Sequence, residues 1–299
     1  MNISIKKLKN GFEIPVFGIG TWLMGSENDN NIPLHSYSNK KDIDAIKTAL
    51  DLGVAHIDTA EAYAQGATEE LVGEAIKNYE RKKLFLVSKV KLDNLSYQGI
   101  KQALTNSLER LRTDYLDLYL MHRCPPKDKF EECVRAMNEL VDEGLVKNIG
   151  LSNTNTEHTK QLCKLTKHPF VVNQVHLNLQ FREPEKDGLL KFCQKNDIFL
   201  EAWRPVNKGA LTKTGIDVTK KGIPILDEMC NKYNKTPAQI SINWLISQKN
   251  IITIAKSTDV NHLKDNLGAL NWEMEQEDIE KLTKEFPNQK FVSDTVPLA

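Results

Sequence analysis

The sequence has no stretch that approaches about 18 consecutive apolar residues, so no segment of it is predicted to span a membrane. Its first residues, Met1 to Lys7, lack the apolar core of a signal peptide. It also lacks a charge excess: Lys+Arg and Asp+Glu both number 40, whereas nucleic-acid and membrane-surface binders usually carry a basic excess. We therefore expect a cytoplasmic protein, monomeric or weakly dimeric, whose partner is a small molecule and neither nucleic acid nor membrane.

Cysteine is scarce and scattered, which argues against disulfide, zinc and redox-motif roles. The five cysteines form no C-x-x-C pair and no cluster with histidine: Cys124, Cys133, Cys163, Cys193 and Cys230. A chain of 299 residues can bury a large core without disulfides or metals. We expect no bound metal.

A G-x-G-x-x-G phosphate turn is also missing, which argues against an open dinucleotide-binding sheet. From residue 42 onward, short apolar strand patterns alternate with amphipathic helical patterns, such as the stripe Ile43, Ile46, Ala49 and Leu50. One candidate strand covers 17–22, and seven others end near Thr59, Lys89, His122, Asn153, His176, Arg204 and Lys256. Eight such units predict an α/β fold, a (β/α)8 TIM barrel, as one domain over residues 1–299.

Several segments fall outside this repeat. Residues 3–16 alternate around the turn Lys9-Asn10-Gly11-Phe12 and predict an N-terminal β-hairpin that plugs the bottom of the barrel. Residues 24–41 are polar and aperiodic and predict a long loop. Two helical patterns, 223–233 and 237–248, predict an extra helix before the last βα unit. The stretch 286–299 is expected to lie extended over one end of the barrel.

Four ionisable or polar side chains stand at or just after the ends of successive strands. Asp58, Lys89 and His122 each end a short apolar strand, and Tyr63 follows Asp58 by five residues. Separately, each has an ordinary structural role: a helix cap, a solvated amine, a satisfied histidine or a packed aromatic ring. Together, they are predicted to meet at the carboxyl ends of parallel strands, where barrels build active sites.

Segments that cover nearly the whole chain are similar to signatures of the aldo-keto reductase superfamily. The most specific are Gly53-Val54-Ala55-His56-Ile57-Asp58-Thr59-Ala60-Glu61-Ala62-Tyr63 and Gly144-Leu145-Val146-Lys147-Asn148-Ile149-Gly150-Leu151-Ser152-Asn153. Shorter matches occur in order at 88–90, 114–122, 173–175 and 254–257. The resemblance implies an eight-stranded α/β barrel, in agreement with the strand count, and NADPH-dependent reduction of aldehydes or ketones.

The resemblance also implies roles for the four strand-end residues. Tyr63 would be the general acid/base, Lys89 and Asp58 would tune it, and His122 would orient the substrate oxygen. The chemistry agrees, because a tyrosine with an ordinary pKa of about 10 is a reluctant acid. An adjacent Lys89 ammonium is expected to lower that pKa.

The cofactor is predicted to lie across the remaining strand ends. Ser152, Asn153 and Gln174 resemble family positions that bind the nicotinamide carboxamide, although Ser and Asn also favour ordinary turns. Trp203 is expected to stack on the nicotinamide ring, and its alternative role is as a core tryptophan. The predicted cofactor-binding set further includes Gly20, Thr21, Trp22, Asp58, Arg204 and Pro205.

The adenosine end of the cofactor is predicted to lie after the last strand. Lys256 and Ser257 suit the 2′-phosphate, and the rest of this group is Thr258, His262, Asp265 and Asn266. His262 stands where the family often has an arginine, and a mostly neutral histidine contributes less charge. NADP is therefore predicted to be preferred over NAD, with weaker discrimination than is usual.

The roles of two arginines are left open, and two other functions remain as alternatives to the reductase. Arg123 and Arg204 either recognise a carboxylate or polyol substrate or, as we favour, pair with local acids. A barrel lyase that uses Lys89 as a Schiff base is the second enzymatic hypothesis. A non-enzymatic, nicotinamide-binding regulatory subunit is the third.

Overall fold

The computed structural model describes residues 3–26, 40–212 and 223–299. Residues 27–39 of the predicted loop 24–41 lie outside these ranges. Within them, no helix is both long enough and apolar enough to cross a membrane.

Eight parallel strands close into a barrel in the order β10-β3-β4-β5-β6-β7-β8-β9. Their bounds are β3 Phe17–Gly20, β4 His56–Asp58, β5 Phe85–Val90, β6 Leu118–Met121, β7 Ile149–Ser152, β8 Phe170–His176, β9 Phe199–Trp203 and β10 Ile251–Ala255. The predicted barrel and its predicted strand ends are confirmed to within two residues. The strands are short and mostly apolar because both of their faces are buried, one in the barrel interior and the other under helices.

Helices pack around the barrel. Their bounds are α1 Lys40–Asp51, α2 Ala67–Ile76, α3 Tyr97–Leu111, α4 Phe130–Asp142, α5 Thr156–Leu165, α6 Glu183–Lys186, α7 Leu189–Lys195, α8 Pro224–Tyr233, α9 Pro237–Ile246, α10 Val260–Leu267 and α11 Gln276–Glu285. The two helices predicted before the last strand are confirmed as α8 and α9. Thr236 begins α9 with a capping box to Gln239, and Pro237 occupies its first turn.

The predicted N-terminal hairpin closes the amino-terminal end of the barrel. Strands β1 (Ile5–Lys7) and β2 (Glu13–Pro15) pair antiparallel. The side chains of Leu8, Phe12 and Ile14 pack against apolar residues that point inward from the barrel strands. Their burial keeps water from that end, so the site is reached from the opposite end.

The C-terminal segment lies over the carboxyl end of the strands, as predicted. The backbone of Ala299 donates to the Asn153 carbonyl at 3.1 Å and accepts from the Asn155 N–H at 2.9 Å. Earlier in the C-terminal segment, Lys290 forms a parallel β-bridge with Phe181. The segment therefore forms one wall of the barrel mouth.

Candidate active site

The four predicted strand-end residues meet at the mouth of the barrel. Asp58 is the last residue of β4, Lys89 lies near the end of β5, and His122 directly follows β6. Tyr63 begins a short 3-10 turn, Tyr63–Gly66, in the loop after β4. Parallel pairing of β4 with β5 and of β5 with β6 brings these ends side by side.

A buried ion pair forms the floor of the site. The Lys89 Nζ donates to Asp58 Oδ1 at 2.6 Å, and both side chains are buried. It also donates to the Thr59 carbonyl at 2.8 Å and to the Tyr63 hydroxyl at 3.4 Å. The three N–H groups of an ammonium thus have three acceptors, which favours its charged form.

The pKa values agree with this charge assignment. Burial lowers the pKa of Lys89, but Asp58 and Tyr63 outweigh it and raise the pKa above its ordinary value. Burial raises the pKa of Asp58, and the opposing charge of Lys89 and a hydrogen bond from Gln174 limit that rise. The direct contact of Lys89 Nζ with Asp58 Oδ1 and the raised pKa of Lys89 favour one ammonium and one carboxylate at the floor.

Tyr63 is held between the ammonium and the imidazole. Its ring lies edge-on to His122 with the ring centroids 5.7 Å apart. The backbone turns sharply behind it, with left-handed φ values of 44° at Ala64 and 54° at Gln65. Since the Tyr63 hydroxyl accepts from Lys89, its own O–H remains available to donate.

Burial raises the pKa of Tyr63, and Lys89 lowers it only in part. Lys89 lowers this pKa as expected, but desolvation of the phenolate is the larger effect, so the net shift is upward. Tyr63 is protonated at neutral pH. It holds a proton that the ammonium helps it to release.

His122 is a neutral ring. Burial, followed by the positive charges of Lys89 and Arg123, lowers its pKa to about 3. A neutral imidazole offers one N–H donor and one acceptor. It can therefore hydrogen-bond a substrate oxygen without competing as the proton source.

The three residues predicted to hold the carboxamide lie together beside His122. Asn153 Nδ2 donates to Ser152 Oγ at 2.8 Å and to the His122 carbonyl at 3.2 Å. Ser152 Oγ donates to the Gln174 carbonyl at 3.0 Å. Asn153 adopts a left-handed φ of 53°, which asparagine tolerates well. The donors and acceptors suit an amide ligand.

Trp203 is half-buried and its indole is fixed in place. One face stacks on His176, with ring centroids 4.2 Å apart and planes at 10°, and the indole N–H donates to Asn153 Oδ1 at 3.2 Å. His176 in turn stacks on Phe181 and lies 2.8 Å from Ser293 Oγ in the C-terminal segment. A flat ring held in this way suits stacking on a second planar ring.

The β3 end supports the floor of the site. Gly20 pairs with Asp58 across the β3–β4 ladder. The backbone N–H and the hydroxyl of Thr21 both donate to the Asp58 carbonyl, at 3.0 and 2.9 Å. The Arg204 guanidinium lies over the Trp22 ring, with its central carbon 5.1 Å from the centroid of that ring.

The favoured interpretation of Arg204 as paired with local acids agrees with the structure. Its Nη1 donates to Thr295 Oγ1 at 2.5 Å and lies 3.7 Å from Asp294 Oδ1, both in the C-terminal segment. Pro205, next to it, is buried. Arg123 is half-buried, and burial lowers its pKa.

The adenosine group is only partly brought together. Lys256 is exposed after β10, Ser257 and Asn266 are buried, Thr258 is half-buried, and His262 is exposed on α10. Asp265 instead accepts hydrogen bonds from Thr236 and Gln239 and so fastens α10 to the start of α9. The Asp265 carboxylate is therefore bonded within the protein and does not face the surface that a phosphate would approach.

Sequence reasoning missed four residues at or near the site. Asp259 caps α10 through the backbone N–H groups of Asn261 and His262, three residues after Lys256 in the sequence. His176 ends β8, so the strand-end argument would have found it. Glu201 and His56 are buried polar residues within the short strands β9 and β4. An ionisable residue within an otherwise apolar strand was the sequence signal that could have identified Glu201 and His56.

The described residues contain no group of three or more His, Cys, Asp or Glu side chains arranged to hold a metal ion.

Comparison with known proteins agrees with the fold. The family model "Aldo/keto reductase family" matches residues 16–285. The chain is 34% identical over 278 residues to the methylglyoxal reductase YeaE of Escherichia coli (strain K12), covering 93% of each chain. It is also 34% identical over 278 residues to the glyoxal reductase of Bacillus subtilis (strain 168), covering 92% of this chain and 90% of that relative.

Solved structures give the same result. A thermostable aldo-keto reductase crystallised with the inhibitor epalrestat superimposes with a TM-score of 0.85 at 38% identity, covering 94% of this chain and 99% of the other. An aldo/keto reductase from Klebsiella pneumoniae in complex with NADP and acetate gives a TM-score of 0.81 at 30% identity, covering 100% of both chains.

Proposed function

Because the chain belongs to the aldo/keto reductase family, we propose that it is an NADPH-dependent reductase of small aldehydes and ketones, with Tyr63 as general acid. The observation that carries the proposal is the buried Lys89–Asp58 pair in contact with the Tyr63 hydroxyl. One domain, residues 1–299, supplies the whole site.

Bound NADPH supplies the hydride, and the protein supplies the proton. As negative charge develops on the carbonyl oxygen, Tyr63 donates its O–H proton to that oxygen. The Lys89 ammonium stabilises the phenolate that remains, and Asp58 holds the ammonium in place. Neutral His122 hydrogen-bonds the same oxygen and orients it. A positioned acid typically contributes about 10² to 10⁴ in rate.

The cofactor would lie across the ends of β7 to β10. Ser152, Asn153 and Gln174 provide the hydroxyl and amides for the carboxamide, and Trp203 provides the stacking surface. Lys256 and Ser257 provide a cation and a hydroxyl for the 2′-phosphate. We assign Thr258, His262 and Asn266 to the adenosine end as well, and Gly20, Thr21, Trp22, Arg204 and Pro205 to the rest of the cofactor site.

The substrate is proposed to be a small α-oxoaldehyde such as methylglyoxal or glyoxal. This follows from the names of two similar relatives, a methylglyoxal reductase and a glyoxal reductase. The C-terminal segment lies at the mouth of the site through Ala299 and Thr295, where the substrate would enter.

The Schiff-base lyase hypothesis is disfavoured by the state of Lys89. A nucleophilic lysine must be neutral, whereas Asp58 and Tyr63 raise the pKa of Lys89. The binding-subunit hypothesis is disfavoured by the assembled Tyr63, Lys89 and His122, which cofactor binding alone does not require.

The test measures NADPH oxidation with methylglyoxal, glyoxal and a panel of larger aldehydes. Wild type is expected to turn over the small dicarbonyls, and Tyr63→Phe to lose turnover by at least about 10²-fold while it still binds NADPH. The control is Tyr119→Phe, which removes a buried hydroxyl without a partner among the described residues and is expected to leave turnover unchanged.

Retained turnover in Tyr63→Phe would contradict the acid role. Tight NADPH binding without turnover of any carbonyl would favour the binding subunit. Borohydride trapping of a carbonyl on Lys89 would favour the lyase.

A further inference from the structure

A second carboxyl group lies below the catalytic ion pair. Glu201, in the middle of β9, is fully buried. Gln174 Nε2 donates one N–H to Glu201 Oε2 at 2.6 Å and the other to Asp58 Oδ2 at 2.8 Å. One amide thus bridges the two carboxyl groups, so the charge of Glu201 is linked to the pair that contacts Tyr63.

The other oxygen of Glu201 faces a histidine. Glu201 Oε1 lies 3.4 Å from His56 Nε2, and both groups are buried. Burial lowers the pKa of His56 to about 3, against a smaller opposing effect of the Pro15 backbone, so the ring is neutral. Gly18 makes room for this ring, because a Cβ at that position would lie 2.7 Å from His56 Cγ.

The surroundings of Glu201 favour its neutral form. The titratable groups that face it are His56 and Asp58 from β4, Lys89 from β5 and, beyond Lys89, Tyr63. Its register neighbours are uncharged: Gln174 on β8 and Ile252 on β10. Burial, followed by the negative charge of Asp58, raises the pKa of Glu201 to about 8.

The hydrogen-bond pattern agrees with a proton on Glu201. Oε2 accepts from Gln174, while Oε1 and the facing Nε2 have no partner apart from each other among the described residues. When the His56 ring proton is on Nδ1, Nε2 is an acceptor, so an ionised Glu201 would leave two acceptors, Oε1 and Nε2, facing each other. A proton on Oε1 would make a donor–acceptor pair.

We propose that Glu201 is a positioning residue for the reduction, acting in its protonated form through Gln174 to leave Asp58 as the single negative charge beside Lys89. The inference rests on the proposed reductase function. Ionisation of Glu201 adds a second negative charge, which makes the Tyr63 proton harder to release. Reduction therefore slows as Glu201 ionises.

The test compares the pH profiles of wild type and Glu201→Gln between about pH 6 and pH 10. A glutamine side chain reproduces the protonated acid, since it accepts from Gln174 and donates to His56. Wild-type kcat/KM for carbonyl reduction is expected to fall about three- to tenfold through a limb near pH 8, and Glu201→Gln is expected to lack this limb.

Glu69→Gln is the matched control. Glu69 is also a fully buried carboxyl, but it pairs with Arg110 and Ser88 away from the site. Its pH profile is expected to follow that of wild type. Coincident profiles of wild type and Glu201→Gln would overturn the proposal.

Two measurements without cofactor separate this inference from the reductase function. The pKa of Glu201 is about 8 in the folded protein and 4.5 in the unfolded chain, so between these pH values the unfolded chain has lost a proton that the folded protein keeps. The stability of wild type relative to Glu201→Gln should therefore fall as the pH rises from 4.5 to about 8. Thermal melts should show that widening difference, and a constant difference would contradict the proposal.

The second measurement needs no variant. In wild type labelled with ¹³C at glutamate carboxyl groups, one carboxyl carbon is expected to titrate near pH 8. Absence of such a carbon would overturn the proton on Glu201 even if Glu201→Gln does not fold. Failure of NADPH oxidation in wild type would instead overturn the proposed function, with the melts and the NMR titration still interpretable.

Discussion

The two halves of the barrel mouth differ in how they use polar side chains. At the ends of β4 to β6, one ammonium and one carboxylate are fully buried and in contact with a phenol. At the ends of β7 and β8, the polar groups are neutral amides and a hydroxyl, and the charged Lys256 after β10 is exposed. Under the proposed function, the first half moves a proton and the second holds the cofactor.

The difference shows how the same strand-end position supports two kinds of function. Burial strengthens the interaction between charges, so the first half depends on each partner being present. In the second half, neutral hydrogen bonds are shared among Ser152, Asn153 and Trp203, and the loss of one is expected to be milder. The predictions below are ordered by the size of the expected effect.

The largest effect is expected for Asp58→Asn. Removal of the carboxylate leaves the Lys89 charge buried without its partner, which is expected to cost about 3–5 kcal/mol of unfolding free energy. We expect kcat to fall by about 10²-fold or more, since Lys89 is no longer held against Tyr63. Urea unfolding and single-turnover kinetics measure the two effects.

Asp142→Asn is the control for that experiment. It removes a carboxylate from an exposed pair with Lys167 and His168, so little change in either quantity is expected. Equal losses in both variants would remove the contrast between buried and exposed pairs.

A smaller and selective effect is expected for Lys256→Met. If the ammonium binds the 2′-phosphate, its loss should raise the KM for NADPH about tenfold or more and leave the KM for NADH nearly unchanged. Steady-state kinetics with both cofactors provide the measurement. Equal increases for both cofactors would disprove the phosphate assignment.

Trp203→Leu is expected to act on both cofactors alike. The loss of ring stacking should raise the dissociation constants of NADPH and NADH by about three- to tenfold each. Fluorescence titration gives both constants, with Trp272→Leu as the control, because Trp272 packs against Tyr233 and contacts none of the predicted cofactor residues that carry the nicotinamide. An increase in the dissociation constant of NADPH alone would indicate that Trp203 contacts the adenosine end of the cofactor instead.

The smallest effect is expected for Asp259→Asn. Asparagine keeps the cap on α10 but removes the negative charge at the start of the helix that follows Lys256. The dissociation constant for NADPH should fall about two- to threefold, and that for NADH should not change. Tighter binding of both cofactors would show that the residue acts through the helix rather than through its charge.

Much of this architecture could be predicted because its signals are local. The strands that end at Asp58, Lys89 and His122 are short apolar segments, and parallel strands place their ends together. The rest depends on register and packing. The engagement of Asp265 by Thr236, and the stack of His176 on Trp203, join residues that are distant in sequence.

The net pKa of Tyr63 was beyond sequence reasoning for a related reason. Spacing shows that Lys89 is near, but the size of the desolvation depends on how completely the surrounding side chains exclude water. The pairing of Arg204 with Asp294 likewise required the path of the C-terminal segment, which no periodicity encodes.

The fit of the His56 ring against Gly18 has an evolutionary consequence. Any side chain at position 18 would occupy the space of the imidazole, which lies 2.7 Å from the place of the missing Cβ. A larger residue at 18 should therefore be found only in proteins with a smaller one at 56. The two positions should covary, and a laboratory lineage that changes one is expected to acquire the compensating change at the other.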